Sequence, residues 1–306
     1  MKPQYFYTKN DGFYGAYYAN RAFCEKGIIL MLGDKVDDLM VKTGVKWLHR
    51  LGCNVMAMSS ETRDYAYHDY PIEGYERAIE VLRSKGNTKF GIMGASTTAM
   101  AALAAASFIP DITLTVALSP SDFIMEGFYR DGLDGARERP GNNESTLSYR
   151  GKSLPFLPYA YRHPEYWQRL SEEAKRRGDM AAARDMFDLS EKLCPITEDM
   201  KIKVERIKGT VVFIGAQDDS LWDTCRYIDR MAERIKSMPH ECRAAKLTYE
   251  YGSHLVFPQS MLETVLPVGS SLLLGFTFKT LKEHPKECKQ TRIDIDRHLR
   301  RIIRQW

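Results

Sequence analysis

Short apolar runs at residues 28–32, 54–58, 90–93, 113–118, 211–214 and 246–249 alternate with longer stretches whose apolar residues recur every three or four positions. Strands joined by crossovers of that length pair in parallel, and a parallel sheet needs helices on both faces. The expected class is therefore α/β, a mostly parallel sheet flanked by helices.

After the first run ends at Gly33-Asp34, the residues Val41, Trp47, Leu48 and Leu51 fall at helical spacing. A loop rich in Ser, Asp and Tyr spans 59–70, and Pro71 suits the first turn of a helix running toward Ser84, where its missing N–H costs nothing. An alanine-rich helix is expected at 97–107, another at 222–235, and helical segments near 258–265 and 269–281. The rhythm breaks between 121 and 201, where Gly, Pro, Arg and Asn cluster and two polar helices appear, at 164–177 and 180–193. The expectation is one domain over 1–306 carrying a lid-like insertion at about 121–201. In the tail, Ile295, Leu299, Ile302, Ile303 and Trp306 share a helical face, which predicts docking onto the core rather than attachment to a membrane surface.

Composition excludes several classes of function. Lys and Arg outnumber Asp and Glu by only 44 to 40, spread along the chain, so nucleic acid is not an expected partner. No apolar stretch is long enough for a spanning helix. Residues 1–6 lack the apolar run of a secretory signal, which gives the expectation of a cytoplasmic protein. Cys24, Cys53, Cys194, Cys225, Cys242 and Cys288 lie far apart and read as reduced structural thiols. With no H-E-x-x-H, no G-x-G-x-x-G after a strand, and no earlier glycine before Gly151-Lys152-Ser153, neither a metal nor another cofactor is expected.

The candidate chemistry begins at Gly94-Ala95-Ser96, between a buried strand and the alanine-rich helix. In that setting a strained turn lifts a serine hydroxyl above the sheet. The helix that follows aims backbone N–H groups at a developing oxyanion, with Thr97 N–H the first donor and the loop Gly33-Asp34-Lys35, through Asp34 N–H, the second. Asp218 and Asp219 follow the run at 211–214, at a strand's C-terminal end, where open α/β sheets collect ligands. Either could orient a histidine. His254 follows the last run in a glycine-bearing loop, expected to be flexible enough to swing the ring to a nucleophile. The chain order of serine, acid and histidine is the one expected when all three follow strands of such a sheet.

The segments Gly91-Ile92-Met93-Gly94-Ala95-Ser96, Ser148-Tyr149-Arg150-Gly151-Lys152-Ser153-Leu154-Pro155-Phe156-Leu157-Pro158 and Ile202-Lys203-Val204-Glu205-Arg206-Ile207-Lys208-Gly209, with 215–222 and Gly252-Ser253-His254, carry a family resemblance. Over about 27–274 the chain resembles the C-terminal catalytic domain shared by acyl-CoA thioesterases and bile acid-CoA:amino acid N-acyltransferases. The resemblance implies an α/β-hydrolase fold and hydrolysis, or transfer, of an acyl group carried as a thioester. It also implies Ser96 as nucleophile, His254 as base and, by alignment on Trp222, Asp219 rather than Asp218 as the acid.

Three departures from the family's pattern stand out. Thr98 occupies a position where glycine is common, and its bulk there could reposition the helix; the loop 33–35 is poor in glycine; and the β-sandwich domain that precedes this region in the animal enzymes is not expected here, for want of room. The transferases use cysteine where this chain has serine, which favours hydrolysis. The expected partner is a small acyl thioester or ester, with the oligomeric state unassigned. Other readings are a carboxylesterase or dienelactone-hydrolase-like esterase, an acyl-CoA-dependent acyltransferase, and a catalytically silent ligand-binding protein. Phe123, Phe128, Phe156 and Tyr159 of the insertion could line an acyl tunnel, but filling the insertion's own core is the favoured expectation.

Overall fold

The computed structural model describes residues 2–32, 35–60, 67–264 and 277–306. Eight strands form the main sheet: β1 (Gln4–Phe6), β2 (Tyr14–Tyr18), β3 (Lys26–Met31), β4 (Cys53–Ser59), β5 (Lys89–Ala95), β6 (Ile112–Leu118), β7 (Thr210–Ala216) and β8 (Arg243–Tyr249). Their spatial order is β1-β2-β4-β3-β5-β6-β7-β8. From β4 to β8 every neighbouring pair is parallel, whereas β2 runs antiparallel to both β1 and β4. This strand order, with helices on both faces, is the α/β-hydrolase fold.

Strands β3 to β7 are covered on both sides, so their residues are apolar almost without alternation. On one face lie α1 (Leu39–His49) and the terminal α7 (Pro285–Gln305). The other face carries α2 (Glu73–Ser84), α3 (Thr97–Phe108) and α6 (Thr224–Ser237). Ile295, Leu299 and Ile303 of α7 are fully buried against the first face, and burial of that kind contributes roughly 1.5–3 kcal/mol per side chain. Lys26 Nζ donates to Ile303 O at 2.7 Å, and Trp306 Nε1 donates to Thr113 Oγ1 at 2.9 Å, so the tail docks as its apolar stripe predicts.

Two local expectations need correcting. Pro71 is not in the first turn of α2: Tyr70–Pro71 is a two-residue strand beside Leu147–Tyr149, and α2 starts at Glu73. Tyr70 N–H and Ile72 N–H donate to Thr146 O and Ser148 O, and Pro71, having no N–H, leaves no donor unmet between them. Of the expected segments at 258–265 and 269–281, the structure has short helices at Gln259–Leu262 and Lys279–Glu283, while 265–276 lies outside the described residues.

Between β6 and β7 the chain leaves the sheet. It forms a hairpin of Glu126–Tyr129 with Arg139–Ser145, then α4 (Glu165–Arg177) and α5 (Arg184–Leu193). These helices look polar in sequence because each buries one narrow stripe: Tyr166, Leu170 and Ala174 on α4, Met186, Phe187 and Ser190 on α5. Ion pairs fasten α5 to α6, with Arg226 on Asp188 and Glu191, and Arg230 on Glu191 and on buried Asp122. Glu205 clasps Arg234 of α6 through two hydrogen bonds of 2.6 and 2.8 Å. Burial acts to raise the Glu205 carboxyl, but the Arg234 guanidinium, a backbone hydrogen bond and the Lys203 charge together outweigh it and the net shift is downward.

Candidate active site

Strand β5 delivers Ser96 to the top of the sheet in a strained turn. Its φ of 61° and ψ of −132° lie where a side chain is rarely tolerated, at a cost on the order of 1–3 kcal/mol. The turn closes tightly enough that a Cβ on Gly94 would sit 2.1 Å from Thr98 O, so only glycine fits there. Ser96 N–H donates to Leu118 O at 2.8 Å, tying the turn to β6. Thr97 begins α3, and its N–H has no backbone or side-chain acceptor among the described residues. The loop bearing Asp34 lies outside them.

Thr98 is held inside the turn. Its side chain folds inward, buried to 1%, with Oγ1 at 2.8 Å from both Met31 O and Ala95 O while accepting Ala95 N–H at 3.0 Å. The hydroxyl thus fastens the turn that carries Ser96 to the end of β3. A glycine in its place could make none of these contacts.

The two neighbouring carboxylates divide their contacts. Asp219, fully buried, meets His254 Nδ1 at 2.8 Å through Oδ2 and 3.0 Å through Oδ1. Leu221 N–H and the Thr224 hydroxyl donate to the same carboxylate, fixing its plane. With Nδ1 donating, the other ring nitrogen is left as an acceptor. That nitrogen, Nε2, is buried and has no hydrogen-bond partner among the described residues, Ser96 included. The Trp222 ring stands edge-on to the imidazole at 4.8 Å and 87°, limiting its rotation.

Asp218 touches the loop instead of the ring. It accepts Ser253 N–H at 2.8 Å, Gly252 N–H at 3.1 Å and the Thr280 hydroxyl at 2.6 Å. Burial lifts its carboxyl above the ordinary range, against the pull of those donors. Ser119 Oγ donates to His254 O at 3.0 Å, and a Cβ on Gly252 would press on Ala216 at 3.0 Å. The expected swinging loop is therefore pinned at several points, because residues at neighbouring strand ends supply partners for Gly252 N–H, Ser253 N–H and His254 O.

Ser96 and Thr97 line a cavity of about 460 Å³ beneath the insertion, with Trp222 in the same wall. Phe128 and Tyr159, two of the aromatics expected either to line a tunnel or to fill the insertion, line this cavity; Phe123 and Phe156 pack into the core instead. Sequence reasoning missed Leu170 and Phe187, which complete the wall. Their signal was present as the apolar stripes of two helices, but a stripe does not say whether it faces protein or a void. Among the described residues no group of His, Cys, Asp and Glu could hold a metal ion, and no helix is long and apolar enough to cross a membrane.

The family model described as BAAT / Acyl-CoA thioester hydrolase C terminal matches residues 70–265, which include Ser96, Asp219 and His254. The chain belongs to this family. Mouse mitochondrial acyl-coenzyme A thioesterase 2 is 26% identical over 240 residues, covering 73% of this chain and 45% of its own length. Mouse acyl-coenzyme A thioesterase 1 is 26% identical over 239 residues, covering 73% and 48%. This family member thus spans about half the length of the curated relatives it matches. Among solved structures, an esterase of Pyrococcus furiosus is 17% identical, with a TM-score of 0.47, covering 86% of this chain and 84% of its own.

Proposed function

We propose that the protein hydrolyses acyl thioesters through Ser96, His254 and Asp219. The observation that carries this reading is the bare, buried Nε2 of an imidazole whose other nitrogen is committed to a buried carboxylate, in a fold that sets Ser96 on a strained turn. In the reaction, Nε2 takes the Ser96 proton as Oγ attacks the acyl carbonyl. Collapse of the tetrahedral intermediate breaks the carbon–sulfur bond, and the imidazolium returns the proton to the departing thiol. Water, deprotonated by the same nitrogen, then frees the acid and restores Ser96. Asp219 stabilises the imidazolium in both halves. Thr97 N–H stabilises the oxyanion, joined by Asp34 N–H from the loop after β3.

The apolar cavity supports an apolar acyl group, and the region of about 121–201 acts as a lid over a single domain spanning 1–306. A cytoplasmic location is supported by the six cysteines, all free. The test is a panel of acyl-CoAs against simple esters of the same acyl groups. A higher kcat/KM on the thioesters supports the reading, and hydrolysis confined to esters rejects it.

A further inference from the structure

The cavity that holds Ser96 changes character along its wall. Met125, Tyr159, Phe187 and Trp222 are buried and apolar or aromatic. Among the described residues, charge enters the lining at Arg130, Arg137, Glu138, Lys175 and Asp179, and of these Arg137 and Lys175 are exposed to solvent. Two of these groups are already engaged with each other, Arg130 Nε lying 3.2 Å from Glu138 Oε2. Asp179 accepts Lys279 N–H at 2.8 Å. Arg137 and Lys175 meet no carboxylate within 4.0 Å among the described residues. They come from separate parts of the insertion, Arg137 from the hairpin loop before Arg139 and Lys175 from the last turn of α4, so only the tertiary fold brings them to one cavity.

We infer that Arg137 and Lys175 form an anion-recognising rim that takes the phosphates of coenzyme A when it carries the acyl group, an inference that rests on the thioesterase reading. An acyl-CoA is apolar at the acyl end, neutral along the pantetheine arm and strongly anionic at the nucleotide end. The cavity likewise combines a buried apolar lining with exposed cations. A fork-shaped guanidinium and a mobile ammonium are the side chains suited to phosphate oxygens. Because the contacts lie far from the reacting carbonyl, they serve ground state and transition state alike and act on KM rather than kcat. Being exposed, they are screened by salt.

The test titrates coenzyme A into wild type, Arg137→Ala/Lys175→Ala and the charge-keeping Arg137→Lys/Lys175→Arg by calorimetry at low and high salt. In parallel, kcat/KM is measured for one acyl group carried on coenzyme A and on N-acetylcysteamine. Loss of both cations is expected to weaken coenzyme A binding about tenfold or more, flatten its salt dependence and lower the ratio of the two kcat/KM values by the same factor. The charge-keeping variant is expected to retain most of the binding. Equal binding by wild type and the alanine variant, or none by wild type, overturns the rim. Salt-dependent binding by wild type without acyl-CoA hydrolysis, while Ser96-dependent ester cleavage continues, leaves the rim standing and rejects the thioesterase reading.

Discussion

The floor of the proposed active site and the roof of the cavity are held by different forces. Ser96, Asp219 and His254 hang from strand ends, each fixed by hydrogen bonds to neighbouring backbone or buried side chains. The roof, α4 and α5, rests on apolar stripes and is fastened to α6 by partly exposed ion pairs. A small displacement of the floor breaks hydrogen-bond geometry and with it the chemistry. The roof can be re-lined with less consequence for those hydrogen bonds, so the proposed mechanism expects rate to be set below and selectivity above.

The sharpest way to break that division is at the floor. Asp219→Ala should lower kcat about 10⁴-fold, because the imidazole loses the partner that fixes its tautomer. Steady-state kinetics on the variant, with its melting temperature, separate this effect from unfolding. A loss below tenfold would mean that the ring is held by its surroundings alone.

At the hinge between the regions, Arg230→Ala leaves Asp122 buried without its cation. The cost should be about 3 kcal/mol in denaturant unfolding at neutral pH. Burial already raises the Asp122 carboxyl above its ordinary value, against the pull of Arg230. A raised folded pKa gives a contribution to stability that is full below the unfolded value, near 4, and lost as pH rises through the folded one. Removing the arginine raises the folded pKa further, so the gap between variant and wild type should narrow as pH falls toward 4. A gap independent of pH would contradict this.

Thr98→Ala should lower kcat about tenfold with little change in KM, since it frees the turn at Ser96 from the end of β3 and leaves Met31 O without its donor. Thr98→Ser, which keeps the hydroxyl, should recover most of the loss. In the roof, Leu170→Ala should shift the ratio of kcat/KM toward longer acyl chains by about tenfold or less while kcat on the best substrate stays within a few-fold. A large fall in kcat on all substrates would erase the distinction between roof and floor.

The same contrast governs what the sequence made legible. Strands β3 to β8 and the positions of Ser96, Asp218, Asp219 and His254 at strand ends follow from apolar runs and the turns that end them, signals local to a few residues. β1 and β2 were not visible because they are short, lie at the sheet edge and are written in Tyr and Gly rather than in branched aliphatics. Proximity separated the two carboxylates: Asp219 reaches the ring and Asp218 the loop, although both precede Trp222 within a few residues. The inward turn of Thr98 and the wall formed by Leu170 and Phe187 depend on contacts across more than 60 residues, which no window of sequence contains.

The central claim is that Ser96 is the nucleophile of a thioesterase, and the direct measurement is thiol release from acyl-CoA by wild type and by Ser96→Ala, with the melting temperature of each. Turnover by wild type is expected, with a loss of about 10³-fold or more in a variant that remains folded. Retention of thiol release within tenfold of wild type by the folded variant would contradict that claim.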